Sequence, residues 1–336
     1  MPCTCAHGRA TAGGRVYVDD LIITGGNPSE LKQFKEEMKG AFQMSDLGLL
    51  QYYLALEVNQ TEDGITVNQC AYTEKILQTA GMAGSNPSLT PMEMHLRLSK
   101  MSNAPSIDAT DYRRIVGSLR YLVNLRPDLA YSVGYVSKFM EKPTTEHLAA
   151  VKRVLRYVGG TIGYGCHYKR KKDASLVGYN DSDLAGDVDT HKSTSGVFFF
   201  LGDNLITWQS QKQKVVALSS CEAEYIAATT VACQGVWLAR LLAELRGEEA
   251  DAVKLKIDNQ SANMLSKNLV FHDRSKHIDT RYHYIRECIE EGRVKVEFIS
   301  TNEQLADILT KSFGRDRFME LRSQIGLIEV QTPRKV

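Results

Sequence analysis

Residues 176–209 read LVGYNDSDLAGDVDTHKSTSGVFFFLGDNLITWQ, and this stretch decides the fold. Leu176 to Asp181 reads as one strand, Val197 to Leu201 as a second and Leu205 to Gln209 as a third. Gly202-Asp203-Asn204 supplies the hairpin turn, because these residue types tolerate the positive φ that tight hairpins need. Downstream the apolar period lengthens from two to near four. A long helix covers Cys221 to Leu245, a strand Val253 to Ile257, and a short helix Ser261 to Lys267. His277 to Glu291 is helical, with Ile278, Tyr282, Ile285 and Ile289 on one face. A last strand, Val294 to Ile299, and a last helix, Asn302 to Lys311, complete the order. Three antiparallel strands followed by alternating helices and strands predict a mixed α/β layer.

Working upstream, Gly159-Gly160 and the basic run Lys169 to Lys172 mark a boundary, and the segment before it is helical. Ile115, Val116, Leu119, Leu122 and Val123 form one apolar stripe. Leu129, Val133, Val136 and Met140 form another, and Leu148, Val151, Leu155 and Val158 a third. Pro127 and Pro143 separate them, since the residue before proline is pushed out of the helical region. Further back, Val16 to Thr24 is an apolar β-branched run around Asp19-Asp20, punctuated by Gly25-Gly26-Asn27-Pro28, and reads as a hairpin. Helices over Glu30 to Phe42 and Tyr72 to Ala80 enclose strands at Tyr52 to Val58 and Gly64 to Val67. Asn86-Pro87 through Pro91 is a loop.

Composition sets the outer limits. Of 336 residues, 43% are hydrophobic and 24% charged, so the chain buries a core and is not of the disordered class. No uninterrupted apolar run approaches the roughly 18 to 20 residues of a membrane span, and Met1 to Gly14 has no apolar signal core. Net charge is +1, so bulk electrostatics select no polyanionic partner. Locally, Lys152, Arg153 and Arg156, followed by Lys169, Arg170, Lys171 and Lys172, form a basic patch that could track a phosphate backbone; a solvated basic surface is the alternative. Seven cysteines show no C-x₂-C spacing, and Cys3, Cys5 and His7 are too close together to wrap a tetrahedral ion. Reduced thiols in an intracellular, non-secreted protein are expected.

Four carboxylates stand at telling places. Asp181 ends the first strand of the sheet and Asp258 the fourth; if those strands run parallel, both emerge at one edge, where open α/β sheets carry their sites. Glu224 lies on the first turns of the long helix, and Asp307 in the last one. Together they would make a hard oxygen site for Mg²⁺, and two ions about 4 Å apart can promote in-line phosphodiester displacement. Neighbours compete: Asp183 sits two residues from Asp181 and Glu222 two from Glu224. Residues two apart on a helix point about 200° apart, so one glutamate faces the site, and periodicity leaves open which.

Residues 178–183 (Gly178 to Asp183), Ala185-Gly186-Asp187 and Lys192 to Gly196 resemble the opening of the ribonuclease H domain of the copia-type retrotransposon Pol polyprotein family. Ala217 to Tyr225, Asp258 to Ala262, Lys276 to His283 and Gln304 to Lys311 resemble its later motifs, and the likeness runs over roughly Val16 to Arg315. The resemblance implies a ribonuclease H-like mixed five-stranded sheet with flanking helices. It implies metal ligands, and hence catalytic residues, at Asp181, Glu224, Asp258 and Asp307, holding two Mg²⁺ (or Mn²⁺) ions. Leu184 replaces the family's aromatic. No histidine lies between Ile299 and Asp307; His277 and His283 are upstream candidates for phosphate binding or proton transfer, with Lys276 beside them.

Tyr17-Val18-Asp19-Asp20 resembles the reverse-transcriptase hairpin that presents aspartate to the polymerase ions. Asp46-Leu47-Gly48, Thr90-Pro91-Met92, Tyr112 to Leu122 and Arg126-Pro127-Asp128 resemble the family's segments downstream of that hairpin, with Ala55 where glycine is usual. Only 18 residues precede Asp19, none acidic, so Asp19 and Asp20 are expected to be vestigial. The expected organisation is an unassigned segment 1–15, a truncated reverse-transcriptase palm/thumb remnant 16–100, a helical connection 101–172, a ribonuclease H-like domain 173–315 and a tail 316–336. The expected activity is cleavage of the RNA strand of RNA–DNA hybrids. The alternatives are an RNA-directed DNA polymerase fragment or a catalytically dead relic that binds nucleic acid. Expected partners are the hybrid duplex and other parts of a retrotransposon polyprotein, and no membrane.

Overall fold

The computed structural model describes residues 12–170, 175–267 and 284–330. Strands β1 (Ala12–Tyr17) and β2 (Asp20–Gly25) pair antiparallel around Val18-Asp19, the hairpin expected from sequence. Asn27 caps α1 (Pro28–Ala41) by accepting from the Ser29 amide at 3.0 Å, and Pro28 loses only an amide that has no helical acceptor. No residue of α1 is buried.

Next come β3 (Tyr52–Tyr53), β4 (Leu56–Gln60), β5 (Gly64–Asn68) and α2 (Cys70–Thr79). The helical block comes after them as α3 (Ala109–Leu122), α4 (Ala130–Val136) and α5 (Thr145–Gly159). The three apolar stripes form its inner faces, with Val116, Leu119, Leu129, Val136, Val151 and Val158 all fully buried. Pro127 opens a 3-10 turn ahead of α4. There Arg126 pairs with Asp128 at 2.7 Å, both inaccessible, while Tyr157 donates to the same carboxylate at 2.6 Å. Arg126 holds the Asp128 carboxyl below its ordinary value although burial pushes it up.

Strand β6 (Tyr164–Lys169) then pairs antiparallel with β5. The decisive stretch forms β7 (Leu176–Ser182), β8 (Thr194–Leu201) and β9 (Asn204–Lys212), each antiparallel to the one before. After α6 (Ser220–Arg246), β10 (Val253–Ile257) pairs parallel with β7. Helices α7 (Gln260–Lys267) and α8 (Tyr284–Glu290) lead to β11 (Val294–Phe298), parallel to β10. The sheet order β11-β10-β7-β8-β9 places the first strand in the middle, with antiparallel neighbours on one side and parallel ones on the other. This is the mixed, ribonuclease H-like α/β sheet the sequence predicted.

Both faces of this sheet are covered, and alternation along β8 divides them. Val197 and Phe199 pack with α6 residues Tyr225, Ala228 and Val231. Phe198 and Phe200 join the core formed by the helical block. Successive side chains of a strand point to opposite faces, so an unbroken Val-Phe-Phe-Phe run marks a strand buried on both sides.

Four expectations differ from the structure. Tyr52 to Val58 is not one strand: it is split into β3 and β4, which pair across a turn at Leu54-Ala55 where both residues take positive φ. Asn302 to Lys311 is not one helix but two 3-10 segments, Thr301–Glu303 and Leu305–Leu309. The side chain of Gln304 accepts from the Ala306 amide at 3.2 Å and breaks the run between them. Residues 316–330 are not a tail: α9 (Arg315–Gln324) and β12 (Leu327–Glu329) bury Phe318, Leu321 and Leu327, and β12 completes a second sheet, β12-β6-β5-β4-β3. Short amphipathic segments of this kind gain order from the core they close, which local sequence does not display. Finally, α6 is by length and composition apolar enough to cross a membrane, although no uninterrupted run was visible; half of its most apolar stretch is buried, and it carries Glu222 and Glu224.

Candidate active site

Because β7 and β10 run parallel, Asp181 and the residue after β10, Asp258, leave the sheet at the same edge. Ser219 starts α6 by accepting from the Glu222 amide at 3.1 Å, and the Glu222 carboxylate turns back to the Leu218 amide at 2.8 Å. This reciprocal cap uses up Glu222. Glu224 therefore faces the sheet, accepting from the Ser182 amide at 2.9 Å and from Asn180 Nδ2 at 3.3 Å. One carboxylate oxygen from each of Asp181, Glu224 and Asp258 lies within 4.8 Å of the others.

Asp307 arrives on the 3-10 segment Leu305–Leu309 and is buried, as are Asp181 and Glu224. It does not belong to that three-carboxylate group; its Oδ1 lies 2.7 Å from Lys311 Nζ, which is also 3.6 Å from Asp181 Oδ2. The Thr310 hydroxyl donates to Asp181 Oδ2. Gln304 Nε2 donates to the Asn180 carbonyl at 2.7 Å and reaches Asp258 Oδ1 at 3.4 Å. Gln304, Thr310 and Lys311 carry no role in the sequence reading, although all three lie in the motif quoted around Asp307.

Electrostatics mark the site as under-neutralised. Burial first, and then the Asp181 charge, raise the carboxyls of Glu224, Asp258 and Asp307, the last to about 7. Asp183, the competitor of Asp181, is raised to about 6 by burial and accepts from the Thr194 amide at 2.6 Å, so it braces the β7–β8 junction. Carboxylate oxygens held together without enough positive charge are a donor set suited to a hard divalent cation. The residues present fit the implied ions.

The other sequence candidates are scattered. Asp19 and Asp20 are exposed on the β1–β2 turn and join no metal-competent cluster among the described residues. Arg153 pairs with Glu93 at 3.0 Å and Arg156 donates to the Asn86 carbonyl at 3.1 Å, so both pin the loop before α3. Lys152, Lys169 and Arg170 are exposed. Lys171, Lys172, Lys276, His277 and His283 lie outside the described residues.

Residues 8–94 match the family model described as reverse transcriptase (RNA-dependent DNA polymerase), beginning ahead of Val16, where the resemblance was expected to start. The chain is 40% identical over 315 residues to the retrovirus-related Pol polyprotein from transposon RE1 of Arabidopsis thaliana, covering 94% of this chain and 22% of that protein. It is 32% identical to the putative transposon Ty5-1 protein YCL074W of Saccharomyces cerevisiae, over 66% of this chain and 74% of that one. The chain belongs to the copia-type retrotransposon Pol polyprotein family. It spans less than a quarter of the length of the Pol polyproteins it matches. A ribonuclease H1 isolated from compost matches at 14% identity and a TM-score of 0.30, over 41% of this chain and 93% of its own. The fold assignment of this Pol fragment rests on its strand order instead.

Proposed function

We propose that this Pol fragment cleaves the RNA strand of RNA–DNA hybrids, leaving a 3′-hydroxyl and a 5′-phosphate. The observation that carries the reading is the convergence of Asp181, Glu224 and Asp258 within 4.8 Å, with Asp307 buried alongside Asp181. Divalent cations bound there would neutralise charge on the attacking and leaving oxygens of a phosphodiester. Asp181, Glu224, Asp258 and Asp307 would hold those cations. Gln304 and the Ser182 amide orient Asp258 and Glu224. We assign the nuclease to residues 173–315, with α3, α4 and α5 covering the second face of its sheet. We propose an intracellular location, in keeping with reduced thiols at Cys166, Cys221, Cys233 and Cys288 among the described residues.

We assign the backbone of the duplex to a groove beside the site. A groove of about 560 Å³ runs between the helical block and β9, lined by Lys100, Arg120, Lys138, Trp208, Ser210 and Lys212 among others. Ser210 stands opposite Gly196, and Gly196 opposite Asp181, so the groove floor lies two strand spacings, roughly 10 Å, from the carboxylates. Lys138 and Lys212 share Asp187, at 2.9 and 3.5 Å. The four cations therefore outnumber the one carboxylate that pairs with two of them, as backbone binding requires. Choice of hybrid over DNA duplex would come from shape and the 2′-hydroxyl of the cut strand.

The test is cleavage of a labelled hybrid by the full chain with Mg²⁺, Mn²⁺ or EDTA. Asp181→Asn and Asp258→Asn should each remove metal-dependent cutting without unfolding the chain. Undiminished cutting by both variants overturns the assignment. A polymerase reading draws on the family match at residues 8–94. With Asp19 and Asp20 exposed and outside any cluster among the described residues, no primer extension on poly(A) is expected of this chain alone; extension abolished by Asp19→Asn would establish that reading.

A further inference from the structure

The helical block covers the second face of the sheet only as far as β7. The core it forms takes Tyr179, Phe198, Phe200, Leu205 and Trp208 from β7, β8 and β9, and no residue of β10 or β11. On those two strands Val253, Leu255, Ile257, Val294 and Val296 turn into the core under α6. The alternate residues, Lys254, Lys256, Lys295 and Glu297, therefore stand on the opposite face. Lys256 is half-buried there and the other three are exposed.

The charge on this open face is one-sided. Lys254 of β10 stands directly beside Lys295 of β11 in the parallel register, and Lys256 lies between Tyr179 of β7 and Glu297 of β11. Like charges opposite one another on neighbouring strands are destabilising. Among the described residues, none of the three lysines has a carboxylate within ion-pair distance. Lys256 is instead held by an aromatic ring: its Nζ donates to the Tyr179 hydroxyl at 3.1 Å and lies 5.0 Å from the ring centre. Phe200 packs edge-on against that ring and fixes it.

The strands that carry the lysines also carry the carboxylates. Asp258 follows Lys256 by two residues, as Asp181 follows Tyr179, so the Cα of Lys256 lies roughly 7 Å from that of Asp258. The groove beside β9 lies across the carboxylates in the order β11-β10-β7-β8-β9, and its Trp208 packs on the same sheet face as Tyr179. Taking the nuclease reading as its basis, we propose that Lys254, Lys256 and Lys295 are a second anchor for the hybrid. They hold its phosphate backbone on the β10–β11 side, while the groove holds it on the β9 side. Carboxylates repel a polyanion, and a cationic contact on each side keeps the backbone from pivoting away from them. Ammonium groups bind phosphates without reading bases, so the anchor adds affinity and register but no sequence choice.

The experiment measures the affinity of the full chain for a fluorescent, uncleavable 2′-O-methyl RNA–DNA hybrid in Mg²⁺ as salt is raised. Lys254→Gln combined with Lys295→Gln should lower the slope of log affinity against log salt by about 2. Glu297→Gln, which removes the one acid among the four, should tighten binding. Lys75→Gln, at an exposed lysine on α2, should leave the slope alone, and circular dichroism checks that each variant folds. An unchanged slope in the double variant, or weaker binding by Glu297→Gln, would overturn the anchor and leave the lysines as the solvated cover of an edge strand. Loss of poly-glutamate binding in the double variant with the hybrid slope intact would also overturn it, and would assign the face to an acidic protein. Lysine-dependent binding by a chain that cuts no hybrid in Mg²⁺ or Mn²⁺ would uphold the anchor and overturn the nuclease reading.

Discussion

Gly196 of β8 stands directly opposite Asp181 of β7 in the antiparallel register, and its missing side chain is what lets the Asp307 segment lie on the sheet. A Cβ at position 196 would come within 2.8 Å of the Ala306 carbonyl oxygen and of Leu309 Cβ. Ser210, the next residue across, donates to the Leu309 carbonyl at 2.6 Å and clamps the same segment. The approach of the fourth carboxylate to the first therefore depends on a residue that carries no chemistry.

Gly196→Ala should accordingly damage the site more than the fold. Overpacking of this kind costs about 1 to 3 kcal/mol, well short of unfolding a domain, while the Leu305–Leu309 segment must lift away from Asp181. Hybrid cleavage should fall to background at a temperature where circular dichroism still reports the native fold. Normal cleavage by this variant would show that Asp307 is not needed where it lies.

The stability of the metal-free protein should decline as pH rises. The folded Asp307 carboxyl holds its proton up to about 7 and Asp183 up to about 6, against 3.8 for an ordinary aspartate. A proton held more tightly by the folded form stabilises it fully below the unfolded value, and that contribution is lost as pH passes through the folded value. Asp128, held low, acts in the opposite sense but only below the ordinary carboxylate range. In EDTA, thermal midpoints should fall between about pH 4 and pH 7, and the gain from added Mg²⁺ should grow over the same interval. A Mg²⁺ gain independent of pH would contradict the raised carboxyls.

Ala55, where the family resemblance expects glycine, has φ +60°, and Leu54 before it has φ +50°. Together they form the two-residue turn between Tyr53 and Leu56, a hairpin geometry that favours asparagine and glycine. The left-handed region costs a side-chain-bearing residue about 1 to 2 kcal/mol. Ala55→Gly should therefore raise stability by about 1 kcal/mol in denaturant titrations, with cleavage unchanged.

Binding of an uncleaved hybrid should weaken in proportion to the cations removed from the groove beside β9. Lys100→Gln and Arg120→Gln each remove one charge from its lining without touching the Lys138–Asp187–Lys212 bridge. Each should reduce the slope of log affinity against log salt by about 1. Arg153→Gln, whose side chain is committed to Glu93 and Thr90, should leave that slope alone. The reverse pattern would move the nucleic-acid path to the α5 surface.

The sequence by itself determined the strands and helices of the sheet, because each depends on spacing along a few residues. The Val-Phe-Phe-Phe run, the Gly202-Asp203-Asn204 turn and the carboxylates at strand ends are local signals of this kind. Spacing narrowed the glutamates to one facing residue and the family resemblance implied Glu224; the structure gives the reason, since Glu222 is turned back to the Leu218 amide. What only the tertiary structure decided joins residues far apart in the chain. Gln304 reaches the carbonyl of Asn180, Thr310 and Lys311 close on Asp181, and α9 with β12 seals a sheet begun at β3. No periodicity records such contacts, since each residue involved obeys its own local rule and acquires its role only when the sheet brings a partner more than a hundred positions away into reach.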